Sequence, residues 1–520
     1  MANSFAGIEI GKRSLMAHST QIQTAGHNIS NADTEGYSRQ RVIVKSFEPI
    51  YRPDLERAMV PGQIGQGCDV ESINRIKDEL LESRIVDQKN VESYWETRDK
   101  YYSMIESVYN EPNDVSVRTN MDKFWQGWQE LSTYPESDAA RLAVVVRGQT
   151  LTNSIQQQYK SLRGIGDQIN GDIEAVVKQV NDLSRQIASV NGVRSKGLGD
   201  NPNDLMDRRD LLVEKLSSLI NVTVTQKDPD EFMVHTDGQI IVQGSLARQI
   251  ESVGQLDNNG YGKLMWSDTK LDAEFHGGTL GALVELRDKD IRSEIQSLNT
   301  MALNFADLVN DVHRNAIGKN NVTGLDFFVQ HDFVENVNGN YDRNGDGVED
   351  TSYIFRMTGT NALKMQEQIG LSGTMTINGA SGNIDVAYFS TDTVEDVINR
   401  INDSNGEVKA YLDRNSCLVL KATSSSGMEN PDFVIRHVED SGMFLTGYSG
   451  ILQGSGEDNA YDFNRANAVD VLAGAQFAVS PVLNPSAYIE VNGLIQNDVS
   501  SVAAAFKNSQ GFAEPSDGRA

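Results

Sequence analysis

The sequence predicts an α+β protein of several domains, with a long helical coiled-coil or bundle domain at its base and a β-rich outer domain inserted into it. The chain has 520 residues, enough for two to four domains. Apolar residues recur every three or four positions along 142–190 and 280–316, which predicts long helices. The stretch 325–460 is rich in Gly, Ser, Asn and Thr and has short alternating segments, which predicts strands.

The composition argues against several classes of protein. The formal charge of −27 disfavours nucleic acid as a partner, because phosphate binding needs a basic surface. Apolar residues are too evenly spread for a membrane span, and the N-terminus lacks the apolar stretch of a secretory signal peptide. Cys68 and Cys417 are the two cysteines and lie far apart, so neither a disulfide framework nor a metal cluster is predicted. We therefore expect no membrane span and no cofactor.

Charge is unevenly distributed along the chain. Residues 1–50 carry five basic and four acidic side chains, whereas residues 321–460 carry 21 acidic and eight basic ones. This asymmetry favours a terminus buried in an assembly and a solvated middle region. The alternative is that the acidic middle only provides solubility.

The chain begins with a predicted helix that carries one narrow apolar stripe. The apolar residues of this stripe are Ile8, Leu15, Ile22 and Ile29, with Phe5 as a further member. Their interval of seven is typical of a coiled-coil seam, but the companion positions hold Lys12, Ser19 and Gly26. We expect this stripe to form a subunit interface with a partner helix, because a single narrow stripe is marginal alone. The alternative is an ordinary surface helix, which would show a wider apolar face.

A dense polar stretch, HNISNADTEGYSRQ at 27–40, follows the regular pattern, which is expected to end at Gly26. The side chains of Asn28, Asn31 and Asp33 are each expected to bond their own backbone two residues on, which favours turns over helix. Gly36 allows a positive φ. The stretch is therefore predicted to stop the helix and to begin, at Tyr37, an extended segment that runs to Ile50. It contains no nucleophile paired with a base, so a catalytic loop is disfavoured.

The remaining elements follow from periodicity and breakers. The PGQIGQG sequence at 61–67 predicts a turn, and helices are expected over 73–109, 142–190, 203–220 and 280–316. Residues 221–275 predict β-hairpins. A short helix over 393–403, capped by Thr393, precedes a hairpin at 408–413 and 417–422. The predicted domains are an N-terminal helix with its extended segment (1–67), a long-helix bundle (68–324), a β-rich outer domain (325–460) and a return segment (461–520).

One segment has the spacing of a metal site. In DRNGDGVED, residues Asp342, Asn344, Asp346 and Asp350 occupy positions 1, 3, 5 and 9 of an EF-hand calcium loop. Position 12 is Tyr353, where a glutamate is expected, so a turn without metal is the alternative. The sequence has no HExxH motif and no G-x-S-x-G motif, and we expect a protein that is not an enzyme.

Several segments together resemble the FlgK family of flagellar hook-associated proteins. HNISNADTEGYSRQ (27–40) resembles the N-terminal signature of flagellar axial proteins, and its SRQ ending is closest to this family. NDLMDRRDLLVEKLSSLINVTV (203–224), LGALVELRDKDI (280–291) and TGLDFF (323–328) resemble further family segments. The sequence 393–427 is similar to the insertion repeat of flagellins and of the filament cap.

The resemblance implies a structural subunit of the bacterial flagellum at the junction between hook and filament. It implies that residues 1–67 supply an inner-tube helix and that the chain is exported unfolded by the flagellar type III system, so it would be secreted, either extracellular or periplasmic. Implied partners are further copies in a junction ring, the hook protein, the third hook-associated protein and an export chaperone.

One departure from the family concerns the C-terminus. Family members end in a second heptad-rich helix that pairs with the first, and the chaperone usually binds there, whereas this sequence stops at GFAEPSDGRA (511–520). The expectation is a truncated or replaced terminal helix. Two other functions stay open: another axial protein (hook, rod or third hook-associated protein), and a calcium-dependent binding or adhesion module.

Overall fold

The structure is a computed structural model, which describes residues 4–47, 65–109, 116–194, 202–228, 231–254, 260–329, 347–348, 350–425, 433–466, 468–474, 476–478, 484–506 and 518. The first half of the chain is mainly helical. Its elements are α1 (Ser4–Ser30), β1 (Gln40–Ser46), β2 (Cys68–Arg75), α2 (Glu79–Tyr109), α3 (Val117–Thr133), α4 (Asp138–Arg194), α5 (Asn203–Leu219), β3 (Thr223–Asp228), β4 (Glu231–Thr236), β5 (Gln239–Gln243), β6 (Leu246–Ala247), β7 (Ile250–Gly254) and β8 (Gly262–Trp266).

The second half contains one more long helix, α7 (Arg292–Asn315), and most of the described strands. Its elements are α6 (Gly278–Glu285), a π-helical turn (Leu286–Ile291), α7 (Arg292–Asn315), β9 (Ile317–Gly318), β10 (Arg356–Ala362), β11 (Gly373–Gly379), β12 (Gly382–Tyr388), α8 (Val394–Asp403), β13 (Val408–Leu412), β14 (Cys417–Ala422), β15 (His437–Asp440), β16 (Tyr461–Asp462), β17 (Gln476–Ala478), α9 (Pro485–Tyr488), α10 (Gly493–Asn497) and β18 (Ala503–Ala505).

The first of two structural units comprises Met1–Ser103, Asp167–Gln255 and Gly260–Lys289. Its described strands form three antiparallel sheets: the pair β1-β2, the four-stranded sheet β3-β4-β5-β6 and the pair β7-β8. Its core draws buried apolar residues from α4, α5, α6 and the sheets. Its buried members include Ile169, Ile173, Val180, Leu216, Val234, Ile241 and Leu280.

The second unit comprises Met104–Gly166, Leu256–Asn259 and Asp290–Ala520. It holds the antiparallel sheets β13-β14-β10-β17 and β12-β11-β15-β16, and the pair β18-β9. The helix α8 packs its buried face, formed by Val394, Val397, Ile398 and Ile401, into the core that these two larger sheets share. Around α3 and α7, a second core is made of aromatic rings, among them Phe124, Phe305, Phe327 and Phe328.

The α+β class is confirmed, and so are most predicted helices and hairpins. The helix expected at 142–190 is α4, which has 57 residues and spans about 85 Å at 1.5 Å per residue. The hairpins at 221–275 and the helix-plus-hairpin unit at 393–422 are present, and the unit opens with the capping box of Thr393 and Asp396. The four predicted domains stay a prediction, since each structural unit groups separate stretches of the chain.

Two predictions of helix were wrong in detail. The helix expected to begin at residue 73 begins at Glu79, because 68–75 form β2 and pair with β1. The helix expected over 280–316 is interrupted by the π-helical turn of residues 286–291. Of the turn predicted at 61–67, only 65–67 lie within the described residues. Among the described helices, none is long and apolar enough to cross a membrane.

Candidate assembly site on the N-terminal helix

The apolar stripe of α1 faces outward. Ile8, Leu15, Ile22 and Ile29 keep 67%, 73%, 73% and 77% of their surface exposed. Phe5 also lies in α1, but its side chain is outside the described part of the structure. Exposed aliphatic side chains at regular intervals along a helix are typical of a surface that contacts another molecule.

The opposite side of α1 packs against its own unit through small and polar groups. Ala17 and Thr24 are buried, and α1 contacts both strands of the β1-β2 pair. The Arg13 guanidinium lies 3.8 Å from the centre of the Phe47 ring. Gly67 has φ of +90°, and a Cβ there would lie 3.3 Å from the Ile10 carbonyl oxygen, so the hairpin approaches the helix closely. The helix is therefore held by one face while its apolar stripe is on the other.

The helix ends four residues later than predicted. It continues through Gly26 to Ser30, and a series of turns follows. In these turns the Thr34 N–H donates to the Asn31 carbonyl (3.0 Å) and the Tyr37 N–H donates to the Thr34 carbonyl (3.2 Å). The polar stretch does stop the helix, and β1 begins at Gln40 rather than at Tyr37.

The asparagines bond differently from the prediction. Asn28 lies inside the last turns of α1, and its amide reaches the backbone of Gln40, twelve residues on. The amide of Asn31 donates to the His27 carbonyl at 3.0 Å, four residues back. Asp33 is exposed. The expected local bonding two residues on is therefore wrong for Asn28 and Asn31, because backbone groups farther away satisfy their amides.

Gly36 supplies the predicted positive φ, with a value of +78°. A Cβ at this position would lie 2.9 Å from the Leu211 Cβ, which is closer than carbon atoms pack. Gly36 is thus required both by its backbone conformation and by its contact with α5.

The turn that follows α1 is hydrogen-bonded to the first part of α5. The Ser38 N–H donates to the Asp207 carboxylate at 3.1 Å, and the Gln40 side chain donates to Asp204 at 3.1 Å. The Arg75 guanidinium of β2 lies 2.9 Å from Asp207 and 2.8 Å from Asp210. The two segments that carry the family resemblance, 27–40 and 203–224, therefore meet in one network.

The charges of this network stabilise one another. Burial raises the pKa of Asp210, but Lys77, Arg75 and Arg209 outweigh burial and hold that pKa below its usual range. Burial, together with the charges of Asp204 and Asp207, raises the pKa of Tyr37, so its hydroxyl stays a donor near neutral pH. Because Asp207 and Asp210 are both paired with basic side chains, the network is suited to holding structure rather than to acid–base chemistry.

The candidate calcium-binding segment, 342–350, lies only partly within the described residues. Asp342, Asn344 and Asp346 lie outside the described residues, and Asp350 lies inside them. Among the described residues, no group of three or more His, Cys, Asp or Glu side chains is arranged to hold a metal ion. The calcium site therefore stays a hypothesis of the sequence.

Sequence reasoning missed three residues of the site: Ser38, Arg75 and Asp207. Ser38 and Asp207 are 169 positions apart, and no local pattern joins them. A signal was present at Asp207 and Asp210, since two acids facing one side of an amphipathic helix need basic partners when they are buried. That signal does not say which basic residue supplies the partner.

The comparisons with known proteins agree with the resemblance. Residues 102–328 match the model of the flagellar hook-associated protein FlgK helical domain, and residues 374–424 match the flagellin hook IN motif. Flagellar hook-associated protein 1 of Bacillus subtilis is 29% identical over 429 residues, which cover 74% of this chain and 83% of that protein. The protein of the same name from Salmonella typhimurium is 28% identical, over 60% of this chain and 57% of its own length.

The chain is also similar to solved structures, among them the following one. The flagellar hook junction protein FlgK from Burkholderia pseudomallei matches with a TM-score of 0.49 and 18% identity, over 82% of this chain and 66% of that one. The chain thus spans less than two thirds of the length of this protein and of the Salmonella relative.

Proposed function

The chain belongs to the FlgK family of flagellar hook-associated proteins, and from that premise we propose that it is a structural subunit of the bacterial flagellum, assembled at the junction between hook and filament. In this proposal the protein acts by contact and catalyses no reaction. Its partners are further copies of itself in a ring, the hook protein on one side and the third hook-associated protein on the other. It reaches that position unfolded, through the flagellar type III channel, with the help of an export chaperone, and acts outside the cytoplasm.

The exposed stripe of α1 is the observation that carries this proposal. Its four aliphatic residues are more than two thirds exposed, while the opposite face of the same helix is packed. Burying one such side chain contributes roughly 1.5–3 kcal/mol, so four of them favour assembly strongly. We expect such a surface on a subunit that stays soluble before assembly and binds tightly to its partners once assembled.

The test places the chain in a flagellated bacterium that lacks its own hook-associated protein 1. Purified hook–basal bodies are labelled with gold-conjugated antibody against the chain, and swimming is scored. We expect label at the distal end of the hook. Label below the hook would overturn the proposal in favour of a rod or hook subunit, and absence of label from flagella would overturn it altogether.

A variant with Leu15→Asp and Ile22→Asp tests the stripe itself. Both side chains are exposed, so we expect the two substitutions together to change the free energy of unfolding of the isolated chain by no more than about 1 kcal/mol. Incorporation at the hook tip should be lost. Gln23→Asp is the matched control, because Gln23 is exposed on α1 outside the stripe. Normal incorporation of the double variant would remove α1 as the interface.

A further inference from the structure

The side chain of Asn28 substitutes for one residue of a β-strand. Its Nδ2 donates to the Gln40 carbonyl at 2.8 Å, and its Oδ1 accepts the Gln40 N–H at 2.8 Å. The same Oδ1 also accepts the Tyr37 hydroxyl at 2.8 Å. One amide thus satisfies both backbone groups of Gln40, as a neighbouring strand residue would.

This amide occupies an edge of the β1-β2 pair. Gln40 is paired with Arg75 of β2 on one side, and Asn28 stands on the other. Unpaired backbone groups at a sheet edge favour pairing with another chain, so the amide closes the edge where β1 begins. It also ties the end of α1 to that strand.

Among the described residues, the same two-bond contact is made from three other helices. Asn181 of α4 binds both backbone groups of Ile250 at 2.8 and 2.9 Å. Asn310 of α7 binds those of Phe328, both at 2.9 Å. Asn402 of α8 binds those of Ala410 at 2.9 and 2.8 Å. In α1 and α8 the asparagine lies near the end of the helix and holds the strand that follows it.

The contact has a different consequence in α1. Asn402 anchors a helix whose apolar face already lies in its own core. Asn28 anchors a helix whose apolar stripe is exposed and whose inward face is small and polar, so burial of side chains does little to fix the rotation of α1. The contact with Gln40 and Tyr37 therefore fixes the C-terminal end of α1 on β1, while the contacts of Arg13 with Phe47 and of Ile10 with Gly67 hold the helix nearer its start.

We infer that Asn28 is the positioning residue of the assembly interface, holding α1 on β1 so that the stripe from Ile8 to Ile29 is presented to a neighbouring copy. This inference rests on the proposed function. Asparagine is suited to the position because the contact needs one donor and one acceptor. Aspartate lacks the donor and adds charge beside Asp204 and Asp207, and alanine lacks both.

The first test uses hydrogen exchange in the isolated full-length chain, which requires no flagellum. In Asn28→Ala, the Gln40 amide should exchange roughly tenfold faster or more, because its acceptor is lost. Tyr37→Phe should give a smaller change, since the Gln40 contact remains. Asn402→Ala is the matched control, which should release the Ala410 amide and leave Gln40 protected. Unchanged protection of Gln40 in Asn28→Ala would overturn the contact.

A pH profile of Asn28→Asp separates positioning from mere loss of packing. A protonated carboxyl can donate to the Gln40 carbonyl, whereas a carboxylate cannot. We expect fast exchange of α1 and Gln40 amides, corrected for intrinsic rates, at pH 7. Protection should recover as the pH falls through the pKa of the introduced carboxyl, which Asp204 and Asp207 raise above the usual value of about 4. Equal exchange at pH 7 and below that pKa would contradict the donor role.

The second test measures incorporation at the hook tip, with wild type, Asn28→Ala and Asn402→Ala exported in equal amounts. We expect wild type and Asn402→Ala to be incorporated and Asn28→Ala to be reduced at least tenfold. If wild type itself is not incorporated, the proposed function fails. If wild type and Asn28→Ala are incorporated equally, the proposed function stands and the positioning role of Asn28 is wrong.

Discussion

The helices α1 and α8 are anchored in the same way, but the apolar face of α8 is buried and the apolar stripe of α1 is exposed. Each ends near an asparagine that binds both backbone groups of the following segment, Gln40 for α1 and Ala410 for α8. The apolar residues of α8 are at most 4% exposed, whereas those of the α1 stripe are at least 67% exposed. The anchor alone therefore does not determine whether a helix serves its own core or a partner.

The difference lies in the spacing of the apolar residues. In α8 they follow at intervals of three, one and three, which gives a broad face that a core can cover. In α1 they follow at intervals of seven, with glycine, serine and alanine beside them. A narrow stripe bordered by small residues is suited to another helix at close range. This comparison predicts how the two helices respond to the same kind of change.

The largest expected difference concerns truncation of one isoleucine. Ile401→Ala in α8 removes a side chain that is 1% exposed and should lower the free energy of unfolding by about 2–5 kcal/mol. Ile22→Ala in α1 should change it by less than about 0.5 kcal/mol. Chemical denaturation followed by circular dichroism measures both. An equal loss in the two variants would show that the α1 stripe is covered in the isolated chain.

Mild acid should weaken the core around α7, a second helix that serves its own core. His313 is buried, donates from Nδ1 to the Leu325 carbonyl (2.7 Å) and accepts the Ala503 N–H at Nε2 (2.9 Å). Burial and the charge of Arg141 lower the pKa of His313 to about 4, against a weaker opposing effect of the Leu325 carbonyl. Because the unfolded chain binds the proton near pH 6.5, the contribution of His313 is complete above that pH and is lost as the pH falls towards 4.

The size of this loss is about 3 kcal/mol, from 1.4 kcal/mol per pKa unit. Denaturation curves at pH 7, 6, 5 and 4 measure it. His313→Gln is the comparison, since an amide does not titrate. The difference in slope between the two proteins isolates His313 from the titrating carboxylates. Parallel slopes would mean that His313 is protonated without cost in the folded state.

Replacing a glycine by alanine should have opposite effects on stability in a packed helix and in the exposed helix α1. A Cβ on Gly148 of α4 would lie 3.0 Å from the Phe327 ring and 3.2 Å from Val491, whereas one on Gly11 of α1 would meet nothing within 4 Å. We expect Gly148→Ala to cost about 1–3 kcal/mol and Gly11→Ala to stabilise α1 by about 0.5–1 kcal/mol. Thermal unfolding measures the first, and hydrogen exchange of α1 measures the second. Slower exchange is expected for Gly11→Ala, and faster exchange would contradict open space at Gly11.

The smallest expected effect concerns the start of α8. Thr393 accepts the Asp396 N–H at its hydroxyl, and the Asp396 carboxylate accepts the Thr393 N–H. Thr393→Ala should cost about 1 kcal/mol. Thr393→Ser keeps the hydroxyl and should cost much less, so equal losses in the two variants would assign the effect to the methyl group.

The sequence predicted the parts of this molecule that depend on local periodicity. The cap at Thr393, the long helix over 142–190 and the hairpins at 221–275 depend on residues close together in the chain, and the structure confirms them. The contact of Ser38 with Asp207 joins residues 169 apart, and no local rule gives it. The hydrogen bonds of Asn28 were predicted wrongly for a related reason. The local sequence looks the same whether an asparagine bonds its own turn or a strand farther along the chain.

The interval of seven along α1 has one more consequence. A straight α-helix turns by 700° in seven residues, so a seven-residue repeat drifts by about 20° per heptad. Over the three heptads from Ile8 to Ile29 the stripe therefore winds by about 60° around the helix. A partner helix can follow such a line only by wrapping around α1 in a left-handed sense, with the two axes inclined by about 20°. The seven-residue spacing within a single subunit thus determines the handedness of the helix–helix contact.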